Sequence, residues 1–459
     1  MEKVKYQRLK SLLDTNDVSI IKTTAENFVS NEMPDEIVNY FAEKLTSPDN
    51  GIKDAVSNTL VENSNPHIPE IIVPLISSKD SAVRNLAGEI LLQKKDKSIS
   101  AILNYLKSCN DEDKKFLIDI LGLIGNPVAV DLILKILSEN KDDNVILACI
   151  EALGNLKEEK AIRSIVTFYD KNELYQPTII EALGKIGSKE AVDFILKIHA
   201  DADDLTKFSI IESLGNIGDV RAYEFIKDEL KNVKGPLAWV MLDALVKLES
   251  KLGLRLEYDS SMKNLLLEIL LEGDQKYKLS VVKFKDAFSS EEILHAAIQN
   301  FGFNEKIDNE LKQIFLKNPD SFLKIVSGNF SSFVQNKKSV LEFIKEILAH
   351  DGGESYNRLN PSEKMNLANN IATFLNDPDE EVRIHCIELL FYLNPETALL
   401  FLDTMVNDDS VWNKLRLLEI IRTSNEPKII ESIKKLSHDE DEMVRETAHE
   451  ILIGNDILN

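Results

Sequence analysis

No stretch of this chain approaches the roughly 20 consecutive apolar residues that cross a bilayer. Apolar runs such as Leu265-Leu266-Leu267 and Ile269-Leu270-Leu271 fall far short of that length. Residues 1–8 carry no apolar core of the secretory-signal kind. Cysteine is scarce: Cys109, Cys149 and Cys386 make an odd count of three without paired spacing. That excludes a disulfide framework and suits a reducing compartment. With 13 prolines, 17 glycines and 7% aromatics, the composition argues against a many-stranded β protein and favours helices. Positive charge is also short, 54 Lys and Arg against 77 Asp and Glu, a net charge of −23. A nucleic-acid or anionic membrane surface calls for a basic patch, so neither is expected as a partner. The expectation is a cytoplasmic protein whose partner is another protein, basic or mixed in charge.

Catalytic and cofactor motifs are missing as well. There is no Gly-x-x-x-x-Gly-Lys-Ser/Thr, no Gly-x-Gly-x-x-Gly, no Gly-x-Ser-x-Gly and no His-Glu-x-x-His. The seven histidines are scattered singly, which does not make a zinc ligand set. Cys109 has no neighbouring base to mark it as a nucleophile. The acidic turns Asp377-Pro378-Asp379-Glu380-Glu381 and Asp439-Glu440-Asp441-Glu442 lack the EF-hand glycine and spacing. They are read as carboxylates at helix starts, where backbone amides and the helix dipole favour negative charge. No cofactor and no metal are expected.

What the chain does contain is a repeat. A hydrophobic fraction of 44% over 459 residues is more than one compact core accommodates, since a core stops growing at roughly 250–300 residues. Leu60, Leu91, Leu121, Leu153, Leu183, Leu214 and Leu245 recur at gaps of 31, 30, 32, 30, 31 and 31. The series returns at Leu390, Ile421 and Leu452 with gaps of 31 and 31. Four residues before each anchor stand Val56, Ala87, Leu117, Cys149, Ile179, Ile210, Met241, Cys386, Leu417 and Ala448, all apolar. Positions i and i−4 share one helical face, so each unit contains a helix with a buried stripe. The Gly-x-x-Gly pairs are read as turns, with Gly125, Gly187 and Gly218 closing one helix and Asn126, Ser188 and Asp219 capping the next. A lone helix pair cannot bury its apolar face, so the units must stack. In the middle the pattern weakens to Phe284, Phe315 and Leu348, and segments 249–261 and 350–361 read as long loops or bent connections. The expected organisation is an array over residues 1–249, degenerate repeats over 250–361 and an acidic array over 362–459, the last with 20 acidic and 9 basic residues.

Three sites carry a sharper pattern: Asp80-x-x-Val83-Arg84-x-x-Ala87, Asp379-x-x-Val382-Arg383-x-x-Cys386 and Asp441-x-x-Val444-Arg445-x-x-Ala448. With the period near 31 and the Leu-Gly step, the chain resembles HEAT-repeat proteins, and within them the short bacterial, phycobilisome-lyase-type repeats. The resemblance implies an all-α fold, an α-solenoid of about 14 HEAT-like helix pairs. It implies that Asp80, Asp379 and Asp441 cap second helices, that Arg84, Arg383 and Arg445 reach a neighbouring Asp, and that second helices line a concave face.

Two residues before each anchor stand Glu89, Asp119, Glu151, Glu181, Glu212 and Asp243, then Glu388, Glu419 and Glu450. Two steps of about 100° turn this position about 160° from the buried stripe. The column is either a solvated face or an acidic row that attracts a cationic partner. Six residues before the anchor, Phe208 and Trp239 fall in consecutive units. They are either contacts to the adjacent repeat or anchors of an interface. The functional expectation is a non-catalytic scaffold or adaptor. The alternatives are a bilin-lyase-like or chaperone-like protein acting on a client, and less readily a nucleic-acid-binding HEAT protein.

Overall fold

A computed structural model describes residues 17–454, other than 30, 256 and 334. The N-terminal stretch 1–8 discussed above lies outside the described residues. Among these the chain is helical, without a strand. They fall into two units, one running to Val233 and including Lys247–Leu254, the other made of Lys234–Val246 and the chain from Arg255 onward. Each is an all-α solenoid stack.

The helices that carry the repeated column are labelled here. In the first unit they are α1 (Val18–Phe28), α2 (Asn50–Glu62), α3 (Ser81–Gln93), α4 (Asp111–Ile124), α5 (Asp143–Asn155), α6 (Gln176–Ile186) and α7 (Asp204–Ile217). Helix α8 (Pro236–Leu252) follows, and then α9 (Gln275–Val281), α10 (Glu305–Lys317), α11 (Lys337–Asp351), α12 (Glu380–Leu393), α13 (Val411–Ile421) and α14 (Glu442–Gly454). The anchors Leu60, Leu91, Leu121, Leu153, Leu183 and Leu214 are buried on α2–α7, and Leu390, Ile421 and Leu452 on α12–α14. Their apolar partners four residues earlier are buried too. Phe315 and Leu348 are buried on α10 and α11, whereas Phe284 is buried beyond the end of α9.

Local chemistry sets the ends. Asp142 accepts hydrogen bonds from the amides of Asn144 and Val145 at the start of α5, and Asn110 accepts from Asp113 at the start of α4. Each satisfies amides that have no partner inside the helix. Gly125 and Gly187 close α4 and α6 at φ 77° and 74°, a region costly for residues with a Cβ. Asn126, Ser188 and Asp219 then cap the helices that follow.

The first glycine of each Gly-x-x-Gly pair has a different job from the turn read for it. Gly122 and Gly184, with Gly154 in the same register, lie inside α4, α6 and α5 against the next helix of the row. A Cβ on Gly154 would lie 2.7 Å from the Cα of Ala182, one on Gly122 2.8 Å from the Cα of Ala152, and one on Gly184 3.0 Å from the Cα of Ser213. The backbones of α4–α7 therefore touch. On the other side of the stack, aromatic rings separate the helices: Tyr169 packs on Phe194 at 5.4 Å and His199 on Phe225 at 4.8 Å. One row thus packs backbone on backbone, and the other packs through side chains. Gly154→Val is expected to destabilise the first unit by about 1–3 kcal/mol through overpacking. Urea denaturation checks it, and a more stable variant, as helix propensity alone would give, contradicts the close contact.

Segments 249–261 and 350–361 are only partly loop. Helix α8 continues to Leu252, and Glu354–Arg358 forms a short helix inside the second segment. Its Arg358 grips Asp320 with two nitrogens, Nε at 2.8 Å and Nη2 at 2.7 Å.

Candidate functional site

The row α3–α7 turns one face toward solvent, opposite its buried anchors. On it Glu89, Glu151, Glu181 and Glu212 are exposed. Asp119 is half-buried and paired with Lys115, one turn earlier, at 2.7 Å. Glu181 pairs in the same way with Lys185 at 2.7 Å. These are surface pairs, individually worth about 0–1 kcal/mol. They leave the column open to other cations.

Asp243 departs from the surface role expected of it. It is buried on α8, where the hydroxyl of Ser280 donates to it at 2.7 Å and Lys276 lies 4.0 Å away. Its azimuth on the helix matches that of Glu212, but the helix Gln275–Val281 brings Ser280 onto that face. In the second unit Glu388 is tied up within the protein, whereas Glu419 and Glu450 are exposed. Glu388 on α12 is held by Lys345 of α11 and by Arg416 of α13, the latter at 2.6 Å. Burial raises the Glu388 pKa, but bonds from Lys345 and Arg416 reverse this and leave it below the usual range. Glu419 is exposed and also bonded by Arg416, at 2.5 Å. Glu450 is exposed on α14.

The two aromatic candidates are half-buried. The indole N–H of Trp239 donates to Glu268 at 3.0 Å, and its ring lies 6.2 Å from Tyr277. Trp239 is thus engaged with neighbouring helices. Phe208 lies on α7 at the border of the exposed face.

The capping roles are visible in the contacts. Asp80 accepts from the amide of Ala82 at 2.9 Å, Asp379 from Glu381 at 2.9 Å, and Asp441 from Met443 at 2.9 Å. The arginines differ from one another. Arg84 lies 3.2 Å from Glu112. Arg445 donates to the carbonyl oxygens of Asp439 at 2.7 Å and Glu440 at 2.6 Å. Arg383 makes a two-pronged pair with Asp408, both bonds 2.9 Å, and also reaches Asp409. Its partner is thus an Asp of the neighbouring repeat, in the turn before α13, whose cap residue is Ser410. Lys414 repeats the arrangement on Asp439 at 2.8 Å, and Lys337 pairs with Asp377. The acidic turns thus hold cations of the preceding repeat as well as amides of their own helix.

One column escaped the sequence reading. Nine residues before the anchor stand Leu174 and Leu205, in consecutive repeats of the first unit, and Trp412 and Met443, in consecutive repeats of the second. Nine steps of about 100° place Leu205, Trp412 and Met443 within about 20° of the carboxylate column, while Leu174 lies in the 3-10 turn Glu173–Tyr175 just before α6. They are exposed: Leu174 66%, Leu205 76%, Trp412 66% and Met443 48%. The same subtraction that exposed the carboxylates finds them.

The chemistry of the thiols is quiet. Burial pushes the Cys149 thiol up to about 12 and Cys386 higher still. Burial also raises Cys109, with Asp113 adding to the effect. Among the described residues no group of three His, Cys, Asp or Glu is placed to hold a metal. Among them, no helix is long and apolar enough to cross a membrane.

A family model described as HEAT repeats matches residues 99–176 and 165–238. No curated protein matches the chain. Among solved structures, importin beta is similar at 13% identity with a TM-score of 0.45, over 98% of this chain and 77% of that one. Kap121p is similar at 12% identity and a TM-score of 0.44, over 95% of this chain and 58% of its own. A Kap95p structure with RanGDP is similar at 12% identity and a TM-score of 0.43, over 95% and 70%.

Proposed function

From a chain that carries HEAT repeats over residues 99–238, we propose a non-catalytic scaffold that binds a protein through the solvent-facing side of α3–α7. The observation that carries this reading is the register of Glu89, Glu151, Glu181 and Glu212. Four exposed carboxylates stand at one position of helices whose backbones, from α4 to α7, are in contact. Like charges brought together on a curved, low-dielectric wall reinforce one another's potential and draw in a cationic surface. Leu174 and Leu205, exposed on the same side, add apolar area that a protein partner can cover. The partner that fits has a basic or mixed surface.

Capture from native lysate tests this. The triple replacement Glu151→Lys, Glu181→Lys and Glu212→Lys is expected to lower partner recovery at least about tenfold, the loss of roughly 1.4 kcal/mol. These side chains are exposed, so helicity is expected to stay unchanged. Recovery by the natural chain is expected to fall as salt rises, because exposed charges are screened within about 10 Å at 0.1 M. Equal recovery by the two proteins at every salt concentration removes the carboxylate column from the account.

A further inference from the structure

Helices α13 and α14 pack side by side, and each starts with a large apolar side chain that nothing in its own repeat covers. Trp412 is the second residue of α13 and Met443 the second of α14. Both stand nine residues before their anchors, Ile421 and Leu452, so they lie side by side on neighbouring helices. The axes of packed helices run about 8–10 Å apart, so the two side chains form one short ridge. Trp412 is 66% exposed and Met443 48%, so both keep apolar area that a partner can cover.

Seven residues further along the same helices stand Glu419 and Glu450, both exposed. Seven residues of helix rise about 10.5 Å, so an acidic row runs parallel to the apolar ridge at that distance. Glu446 on α14 is exposed beside it. On this face of α13, Arg416 is already shared between Glu388 and Glu419, and Arg422 caps the helix three residues beyond Glu419. The surroundings are negative too, with 20 acidic and 9 basic residues over 362–459.

We propose that this face of α13–α14 is a docking site for a short peptide segment of a partner protein. The segment places an aromatic or aliphatic side chain against Trp412 and Met443, and lysine or arginine on Glu419 and Glu450. In an extended segment, 10 Å corresponds to about three residues between the apolar anchor and the basic side chain. Apolar area supplies affinity and the carboxylate row fixes direction, because the reversed segment would set its cation on the apolar ridge. This deepens the scaffold reading and rests on it, but uses a different unit from the α3–α7 face. Failure of the triple lysine variant therefore leaves this site testable.

The experiment selects peptides from a random 12-residue phage library on the full chain, with Trp239→Phe so that Trp412 is the single tryptophan. The expected outcome is enrichment of peptides with a Phe, Trp, Leu or Met about three residues from Lys or Arg. A synthetic copy of such a peptide is expected to shift Trp412 emission to shorter wavelength as the ring leaves water. Met443→Ala is expected to weaken binding about tenfold, as for an interface hot spot. Glu419→Gln with Glu450→Gln is expected to lower affinity by a similar factor and to remove most of its salt dependence. Circular dichroism confirms that both variants keep their helicity. Three results overturn the proposal: no peptide enriched over the Trp412→Ala protein, enriched peptides that are acidic or lack an apolar anchor, or a Trp412 shift that follows the concentration of the chain alone. The last would mean that a second copy covers the ridge.

Discussion

Arg383→Ala is expected to destabilise the second unit by about 3–5 kcal/mol, because it leaves the Asp408 carboxylate buried without its counter-ion. Both side chains of the pair are nearly inaccessible, 9% exposed for Arg383 and 2% for Asp408. The guanidinium satisfies both carboxylate oxygens and also donates to the Asp377 carbonyl at 2.8 Å. The Ser410 amide and the Asn413 side chain complete the shell around Asp408, at 2.8 Å and 3.3 Å. Changing both members, Arg383→Met with Asp408→Leu, is expected to recover most of the loss, since the penalty lies in the orphaned charge. Both tryptophans, Trp239 and Trp412, belong to the second unit, so their emission in urea follows its unfolding. A loss below about 1 kcal/mol would place the pair among exposed ones.

The same pair gives the pH dependence its sign. Burial raises the Asp408 pKa, but the bonds from Arg383, Ser410 and Asn413 outweigh it and bring it below the ordinary value of 3.8. A carboxylate with a depressed folded-state pKa stabilises the fold above its unfolded-state value, about 3.9, and loses that contribution as pH falls through the folded-state value. The second unit is therefore expected to lose stability below about pH 4, and Arg383→Ala to flatten that acid limb.

Phe315→Ala is the other large effect, about 3–5 kcal/mol. Phe315 is the anchor of α10 and is buried against three rings: Phe301 at 5.6 Å, Phe322 at 5.0 Å and Phe343 at 5.6 Å. Truncation opens a cavity that rings locked by one another cannot close. Phe315→Leu installs the residue that most other repeats use at this position. It is expected to lose less than Phe315→Ala but not to be neutral, because the void among the rings remains. Tryptophan emission and hydrogen exchange in the second unit distinguish the two variants. Equal stability of Phe315→Ala and the natural chain would contradict the ring cluster.

This cluster explains why the middle of the chain reads poorly as a repeat. The Leu60 to Leu245 series is legible because a leucine-sized core keeps the period near 31. In the middle, phenylalanines take the place of leucine in the core. Phe284 then lies past the end of its helix and the gaps lengthen. The stripe four residues before the anchors was equally plain, since one helical face needs no knowledge of neighbours. Asp243 shows the limit. Periodicity gives a residue's azimuth on its own helix, not which helix arrives to cover it, so Asp243 and Glu212 looked alike until Ser280 was in place. The partner of Arg383 was hidden for the same reason. Asp408 lies 25 residues away in a turn, and only the stacking of α12 on α13 brings it within reach. Leu174, Leu205, Trp412 and Met443 were within reach of the sequence. Phe208 and Trp239 have the aromatic character of an anchor, but their azimuth lies at the border of the exposed face.

The backbone contacts at Gly122, Gly154 and Gly184 also set a direction for elastic response. With no side chain left to compress at these contacts, the helices of α4–α7 cannot approach one another more closely there. The consequence is mechanical: the α4–α7 row is the least compressible part of the first unit, because backbone meets backbone there.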